Sequence, residues 1–370
     1  MQNVKINSFQ FLVLVIFFTI GTGILVLPSV LAGIAKQDAW ISAIIGTGVG
    51  LLIVWMFTKL SLWFPNLTFV QMNEVIFGKW IGKTFSFLFL FINLVFTSIL
   101  MYYSGSFLTT HVIPNTPMAA TNILLAVILL MAMHLGLETI ARAAEILIGV
   151  FFILFIILVI FIAPEIKTEN IQPVFESDIK SIAHGSLSLI VISSLNAVSL
   201  LMVFPAFIND PKSGKKSFLI GNLIGGLVII IITLLCILVL GPDLTSRQMY
   251  PGYTLAKMIN IGNFVTRIEA LMAGLWVICL YFKMVLYFHA LVLGLTQTLN
   301  LRDSRSLVYP LVMIVVVLSL VVFPSVVDKQ IFDSTTAIYY SILVGLLLPL
   351  LMVIVYKIRK KQLKKDADPS

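Results

Sequence analysis

Residues 17–31 read FFTIGTGILVLPSVL and set Gly21, Thr22 and Gly23 inside an otherwise continuous apolar run, with Pro28 five residues further on. Glycine is a poor helix former, and Pro28 removes a backbone donor while crowding the carbonyl of Ile24. If the helix opens here, the half-helix that follows from Ile24 offers unsatisfied N–H groups and the positive end of its dipole near the bilayer midplane. Such a place suits a carboxylate, which has no water to solvate it at that depth, and an amino-acid-like ligand is the natural candidate. The competing reading gives the glycines a packing role only.

A second polar cluster lies within residues 184–207, HGSLSLIVISSLNAVSLLMVFPAF, where Ser193, Ser194, Asn196 and Ala197 precede Pro205. Opened carbonyls, together with these hydroxyl and amide groups, would accept hydrogen bonds from an ammonium. The segment has no acidic side chain, so the acceptors would be neutral. Back-bonding of Ser and Asn to their own helix is the plainer alternative.

Lys283 is the only charged residue well inside an apolar span. A buried ammonium is costly and marks a functional hypothesis: it can mimic a bound cation or carry a proton. Alternatively its long stem lets it snorkel to the interface. Glu269 lies fourteen residues earlier, about 21 Å along a continuous helix at 1.5 Å per residue, too far to pair with it. Asn93 and Thr97, one turn apart, with Tyr102 and Tyr103 further out, are candidates for a pocket wall or for interhelical hydrogen bonds. Glu138 and Arg142 read as a structural i,i+4 ion pair.

The elements that position these residues are membrane helices. The chain has 370 residues, of which 60% are hydrophobic and 11% charged, and its mean hydropathy is +1.09, outside any soluble class. Ten spans are expected, at 9–35, 39–60, 81–108, 118–137, 144–163, 184–208, 217–240, 266–297, 307–326 and 335–356. The first run is too long for the hydrophobic region of a secretory signal and lacks a small-residue cleavage pattern, so it counts as a span.

The net charge of +8 is explained by its placement. Alternate loops separate Lys59, Lys79, Lys83, Arg142, Lys212, Lys215, Lys216, Arg302, Arg305 and the tail KIRKKQLKKDADPS from a sparser set on the other side. Positive charge collects on the cytoplasmic side, so both termini are expected there, and the tail is a topology anchor that meets the lipid bilayer. Nucleic-acid binding is not needed to account for the charge. Cys236 and Cys279 fall inside spans, the histidines have no metal-ligand spacing, and no catalytic motif occurs. The chain is therefore expected to be no enzyme and to need no cofactor or metal.

Two halves echo each other. Gly46 and Gly50 follow Pro28 by eighteen and twenty-two residues; Gly221 and Gly225 follow Pro205 by sixteen and twenty. Spans one to five and six to ten thus read as copies of one five-helix unit, inverted because five is odd. Two outer loops stand out for length. Residues 164–183 are net acidic, and residues 241–265 include an amphipathic patch at 253–261. Either covers the outer mouth of a site or is a solvated connector.

Several short motifs recur in a specific order: INSFQ at 6–10, GTGILVLP at 21–28, DAWI at 38–41, FGKWIG at 77–82, GLETIAR at 136–142, NDPKSGKK at 209–216 and RIEALMAGLW at 267–276. In this the chain resembles the B subunits of spore germinant receptors, the GerAB-type spore germination protein family. That family is similar in fold to the amino acid-polyamine-organocation transporters. The resemblance implies an all-α integral membrane protein of ten transmembrane helices, a LeuT-like 5+5 inverted repeat with discontinuous helices 1 and 6. One domain is expected over 1–360, with repeats near 9–163 and 184–356 and a basic cytoplasmic tail at 361–370.

The resemblance further implies a germinant-sensing subunit in the inner membrane of bacterial spores. It would bind a small germinant, an amino acid by preference, and act with an A subunit and a C subunit. The alternative is a proton-coupled amino acid permease. Several members of the family carry Gly-x-Glu near the second break, where this chain has Ala197-Val198-Ser199.

Overall fold

The computed structural model describes residues 5–258 and 269–366, with side chains described throughout except at 326, 327, 330 and 360–366. The end of the outer patch expected at 253–261, the start of the span expected at 266, the first residues of RIEALMAGLW and the end of the tail lie outside the described residues.

From residue 5 a short extended segment leads into α1 (Ser8–Ile20) and α2 (Gly23–Ala35). The INSFQ motif is a capping box. Asn7 accepts from the N–H of Gln10 at 2.8 Å, and the Gln10 side chain accepts from the N–H of Asn7 at 3.1 Å. Next come α3 (Ala39–Ser61), α4 (Phe69–Phe77), α5 (Lys79–Phe107), α6 (Met118–Leu135), α7 (Leu137–Ile162) and α8 (Ile179–Leu189). The last widens into a π turn over Ile190–Leu195 and tightens into a 3-10 segment over Asn196–Met202. The second half continues with α9 (Pro211–Arg247), α10 (Pro251–Lys257), α11 (Glu269–Thr298), α12 (Arg305–Val321), α13 (Val326–Ile331), a π turn over Phe332–Thr336, α14 (Ala337–Ile342), another π turn over Leu343–Leu347, and α15 (Leu348–Asp366).

Among the described residues eight helical stretches are long and apolar enough to cross a membrane, and Ser8–Ile20 and Arg305–Val321 are shorter apolar helices. The structure moves several expected boundaries. NDPKSGKK is the start of a helix and not a loop: Asp210 caps it by accepting from the N–H groups of Lys212 (3.0 Å) and Ser213 (3.3 Å), with Pro211 in the first turn. α9 kinks at Gly241 (φ 78°), where Pro242 restarts it. The last helix runs on through the basic residues to Asp366, since Lys, Arg and Gln are good helix formers.

The outer face of the bundle is apolar. Ile146, Val150, Ile153 and Ile160 line one face of α7 and are exposed, as a lipid-facing surface requires. Inside, the glycine pairs bring helices together crosswise. A Cβ on Gly46 would stand 2.9 Å from the carbonyl oxygen of Ser186, and one on Gly50 would overlap the Ser194 hydroxyl, so α3 packs on α8 and its π turn. A Cβ on Gly221 would stand 2.8 Å from the carbonyl oxygen of Leu12, and one on Gly225 2.7 Å from Thr19, so α9 packs on α1. Each pair lies against the broken helix of the other half.

Candidate functional site

The first helix breaks at Gly21, whose φ of 36° is accessible to glycine and strained for other residues. Its N–H still closes the last turn of α1 on the carbonyl of Phe17 at 2.9 Å. The N–H groups of Thr22, Gly23 and Ile24 have no acceptor among the described residues. The second break differs from the expected unwinding. α8 passes into wide and then tight turns, and the chain leaves helical geometry only after Met202. Where a π turn hands over to a 3-10 turn the hydrogen-bond ladder changes step, which leaves backbone carbonyls for other donors.

Lys283 of α11 fills that vacancy. Its Nζ donates to the carbonyl oxygen of Ile192 at 2.9 Å, lies 5.2 Å from the centroid of the Phe18 ring, and its stem packs on Gly21. The side chain is buried, so Lys283 does not snorkel to an interface. No carboxylate pairs with it among the described residues. Ser193 donates to the carbonyl of Thr19 at 3.3 Å, and so ties the two breaks directly.

A cavity of about 570 Å³ opens beside this junction. Thr22, Asn196 and Lys283 reach it, and Asn196 accepts from the Ser341 hydroxyl at 2.9 Å. The other expected residues are placed differently. Gly21, Gly23 and Ile24 sit behind Thr22, with Gly23 against Ile229. Ser193, Ser194 and Ala197 are buried between helices. Asn93 and Thr97 do not line the cavity: Asn93 donates back to Phe89 and Thr97 back to Asn93, both at 2.7 Å. The wall of α5 is Phe96, Ile99, Leu100 and Tyr103, of which only Tyr103 is among the candidates expected from the sequence.

Sequence reasoning missed the opposite end of the cavity. Lys329 and Asp333, spaced i,i+4 where the last span begins, form an ion pair at 3.4 Å, and the Tyr103 hydroxyl donates to Asp333. Lys329 also lies 4.6 Å from the centre of the Tyr103 ring. The i,i+4 spacing was the available signal, but Lys329 counts in the sequence as a loop charge.

The two ends of the bundle are closed to different degrees. Near the N-terminus, Ile6 forms a parallel bridge with Ile208: the N–H of Ile6 donates to Phe207 at 2.9 Å, and the N–H of Asn209 to Ile6 at 3.1 Å. Phe11 stacks on Phe204 with ring centroids 5.6 Å apart, and Gln10 donates to Glu145 at 3.1 Å. On the cavity side the acidic loop is pinned instead of sealed. Asp38, from the DAWI motif, accepts from the N–H groups of Phe175 (2.8 Å) and Ser177 (2.9 Å), and Gln37 donates to the carbonyl of Pro173 at 3.0 Å.

Comparison with known proteins fits this architecture. Residues 5–327 match the model of a family described as spore germination protein. Spore germination protein KB of Bacillus subtilis (strain 168) is 28% identical over 372 residues, covering 99% of this chain and 98% of that protein. Spore germination protein B2 of the same organism is 22% identical over 361 residues, with 96% of each covered. Among solved structures, Mhp1, a nucleobase-cation-symport-1 family transporter in a closed conformation with bromovinylhydantoin bound, superposes with a TM-score of 0.68. The identity is 10%, and the match covers 90% of this chain and 76% of that one. The fold is thus that of a membrane transporter, and the chain belongs to the spore germination protein family.

Proposed function

We propose that the chain is the germinant-sensing subunit of a spore germination receptor in the spore inner membrane. It binds a small amino-acid-like ligand at the floor of the cavity and signals to A and C partner subunits. Ten crossings follow if α1 and α2 count as one broken span, α3 as a span of its own and α12 as a short one. The architecture is then a LeuT-like 5+5 inverted repeat with both termini cytoplasmic. The crosswise glycine packing supports the repeat, because each half uses the same device on the other's broken helix.

The observation that carries the binding role is the meeting of Thr22, Asn196 and Lys283 at one cavity, beside unpaired N–H groups on one broken helix and a changing hydrogen-bond ladder on the other. Gly21, Gly23 and Ile24 contribute backbone, and Ser193, Ser194 and Ala197 set the position of Asn196. The test is germination of spores carrying Thr22→Val or Asn196→Ala. Expected is a raised nutrient requirement with normal amounts of the protein in the membrane; an unchanged response to every nutrient refutes the site.

The buried, carboxylate-free Lys283 together with the transporter fold favours one other reading, a proton-coupled amino acid permease. Uptake of labelled amino acid by proteoliposomes holding this chain alone, lost in Lys283→Met, would establish that reading.

A further inference from the structure

Resting on the reading of the cavity as an amino-acid-like ligand site, we propose that Lys329, Asp333 and Tyr103 form a charged outer subsite at the cavity mouth that holds the zwitterionic head of the ligand before it reaches the floor. Lys329 takes its carboxylate and Asp333 its ammonium.

Among the described residues, the floor of the cavity has a cation, Lys283, and neutral acceptors, but nothing acidic. Asp333 is the sole carboxylate among the described residues that line the cavity. A ligand ammonium, costly to desolvate without a counter-charge, therefore finds its charged partner at the mouth. Asp333 is equipped for this. One oxygen accepts from Tyr103, the other faces Lys329, and its side chain keeps 35% of its surface accessible, which leaves lone pairs for a further donor.

Lys329 complements it. Its side chain is only 7% exposed, yet among the described residues its three N–H donors share a single carboxylate contact at 3.4 Å, longer than the usual charge-assisted hydrogen bond. The face of the Tyr103 ring, its centroid 4.6 Å from the ammonium, stabilises the charge without accepting a hydrogen bond in its plane. A ligand carboxylate would fill those donors. Carboxylate and ammonium on one α-carbon would then complete a ring of alternating charges with Lys329 and Asp333. The walls nearby, Val26 and Val30 on one side and Ile99, Leu100 and Ile338 on the other, are apolar, so the ligand class is an α-amino acid with an apolar side chain.

An i,i+4 ion pair can also serve its own helix. The Tyr103 contact from α5 and the position at a cavity mouth separate the two roles, and ligand discrimination is a readout that a merely structural pair would not move.

The experiment uses the full chain in nanodiscs. Thermal-shift binding is measured with the common L-amino acids, then with the amine and the carboxylic acid that each bound amino acid becomes on losing its carboxylate or its amino group. The parent is expected to bind an apolar amino acid and neither analogue. Lys329→Gln should weaken amino-acid binding by about tenfold or more and abolish the preference over the amine; Asp333→Asn should do the same relative to the acid. Lys329→Arg and Asp333→Glu should restore binding in large part. Two independent arms, one at each charge, keep the test valid if either variant fails to fold. Mouth variants that keep affinity and discrimination while Asn196→Ala loses binding would overturn the subsite and leave the floor standing. A parent that binds no amino acid would overturn both.

Discussion

The Lys283 ammonium donates to the carbonyl oxygen of Ile192 at 2.9 Å, and this one bond joins α11 to the π turn of the second broken helix while the lysine stem lies on the first break. The two breaks are thus held by one side chain, with Ser193 reaching across to Thr19 as a second tie.

Lys283→Met keeps most of the packing volume and removes the donor. The Ile192 carbonyl is then left buried without its partner, which costs about 1–3 kcal/mol. The expected outcome is a lower apparent melting temperature in detergent, with less stabilisation by any bound ligand.

The two glycines of the first break should respond differently. Alanine at Gly21 meets both a sparsely populated backbone conformation (φ 36°, ψ −120°), costing about 1–3 kcal/mol in a non-glycine residue, and the stem of Lys283. Alanine at Gly23 meets only the tips of Leu27 (2.9 Å) and Ile229 (3.1 Å), which can turn aside. Gly21→Ala should therefore disturb stability and response more than Gly23→Ala. Gly23→Phe, with no space to enter, should abolish nutrient-triggered germination while the protein stays in the membrane. Membrane yield and germination of the three variants, measured together, check this.

Glycine positions in α3 give an internal control. Gly48 has open space where a Cβ would go, whereas Gly46 and Gly50 face α8 and Ser194. Gly48→Val should be nearly neutral, and Gly50→Val should cost on the order of 1–3 kcal/mol from overpacking. Equal melting temperatures for the two variants would contradict the helix crossing described above.

Asp38 holds the acidic loop through two N–H groups. In Asp38→Asn one of the two oxygens becomes an NH2 that faces the N–H of Phe175 or of Ser177, so at least one bond to a charged acceptor, worth about 1.5–3 kcal/mol, is lost. Limited proteolysis should then cut within 164–183 faster than in the parent, at a site that mass spectrometry of the fragments will locate.

Much of this is legible in the sequence. A Gly-Thr-Gly in an apolar run has few uses, and the matched glycine pairs gave the crosswise contact its sequence trace. INSFQ is the capping box it spells. Other features depend on rotation about a helix axis, which neighbours set. Asn93 and Thr97 have the right types and spacing for a pocket wall, but α5 turns them inward onto its own backbone and presents Phe96, Ile99, Leu100 and Tyr103 instead. Lys329 and Asp333 lie at a span end, where a charge normally means solvent; the burial that changes their meaning comes from Tyr103, more than two hundred residues earlier. In the second break, Ser and Asn signalled irregular backbone, but a π turn followed by a 3-10 turn has no spelling of its own in these residue types.

The crosswise glycine packing bears on how the chain is made. α3 closes on a helix that has not yet been synthesised when α3 inserts, and α1 waits for α9 to cover its Leu12 and Thr19 faces. The first half alone, α1–α7, would leave a glycine-lined groove facing lipid and a broken helix without its partner. The two halves should accordingly accumulate only when expressed together, even as separate polypeptides cut within 164–183, and neither should persist in the membrane by itself.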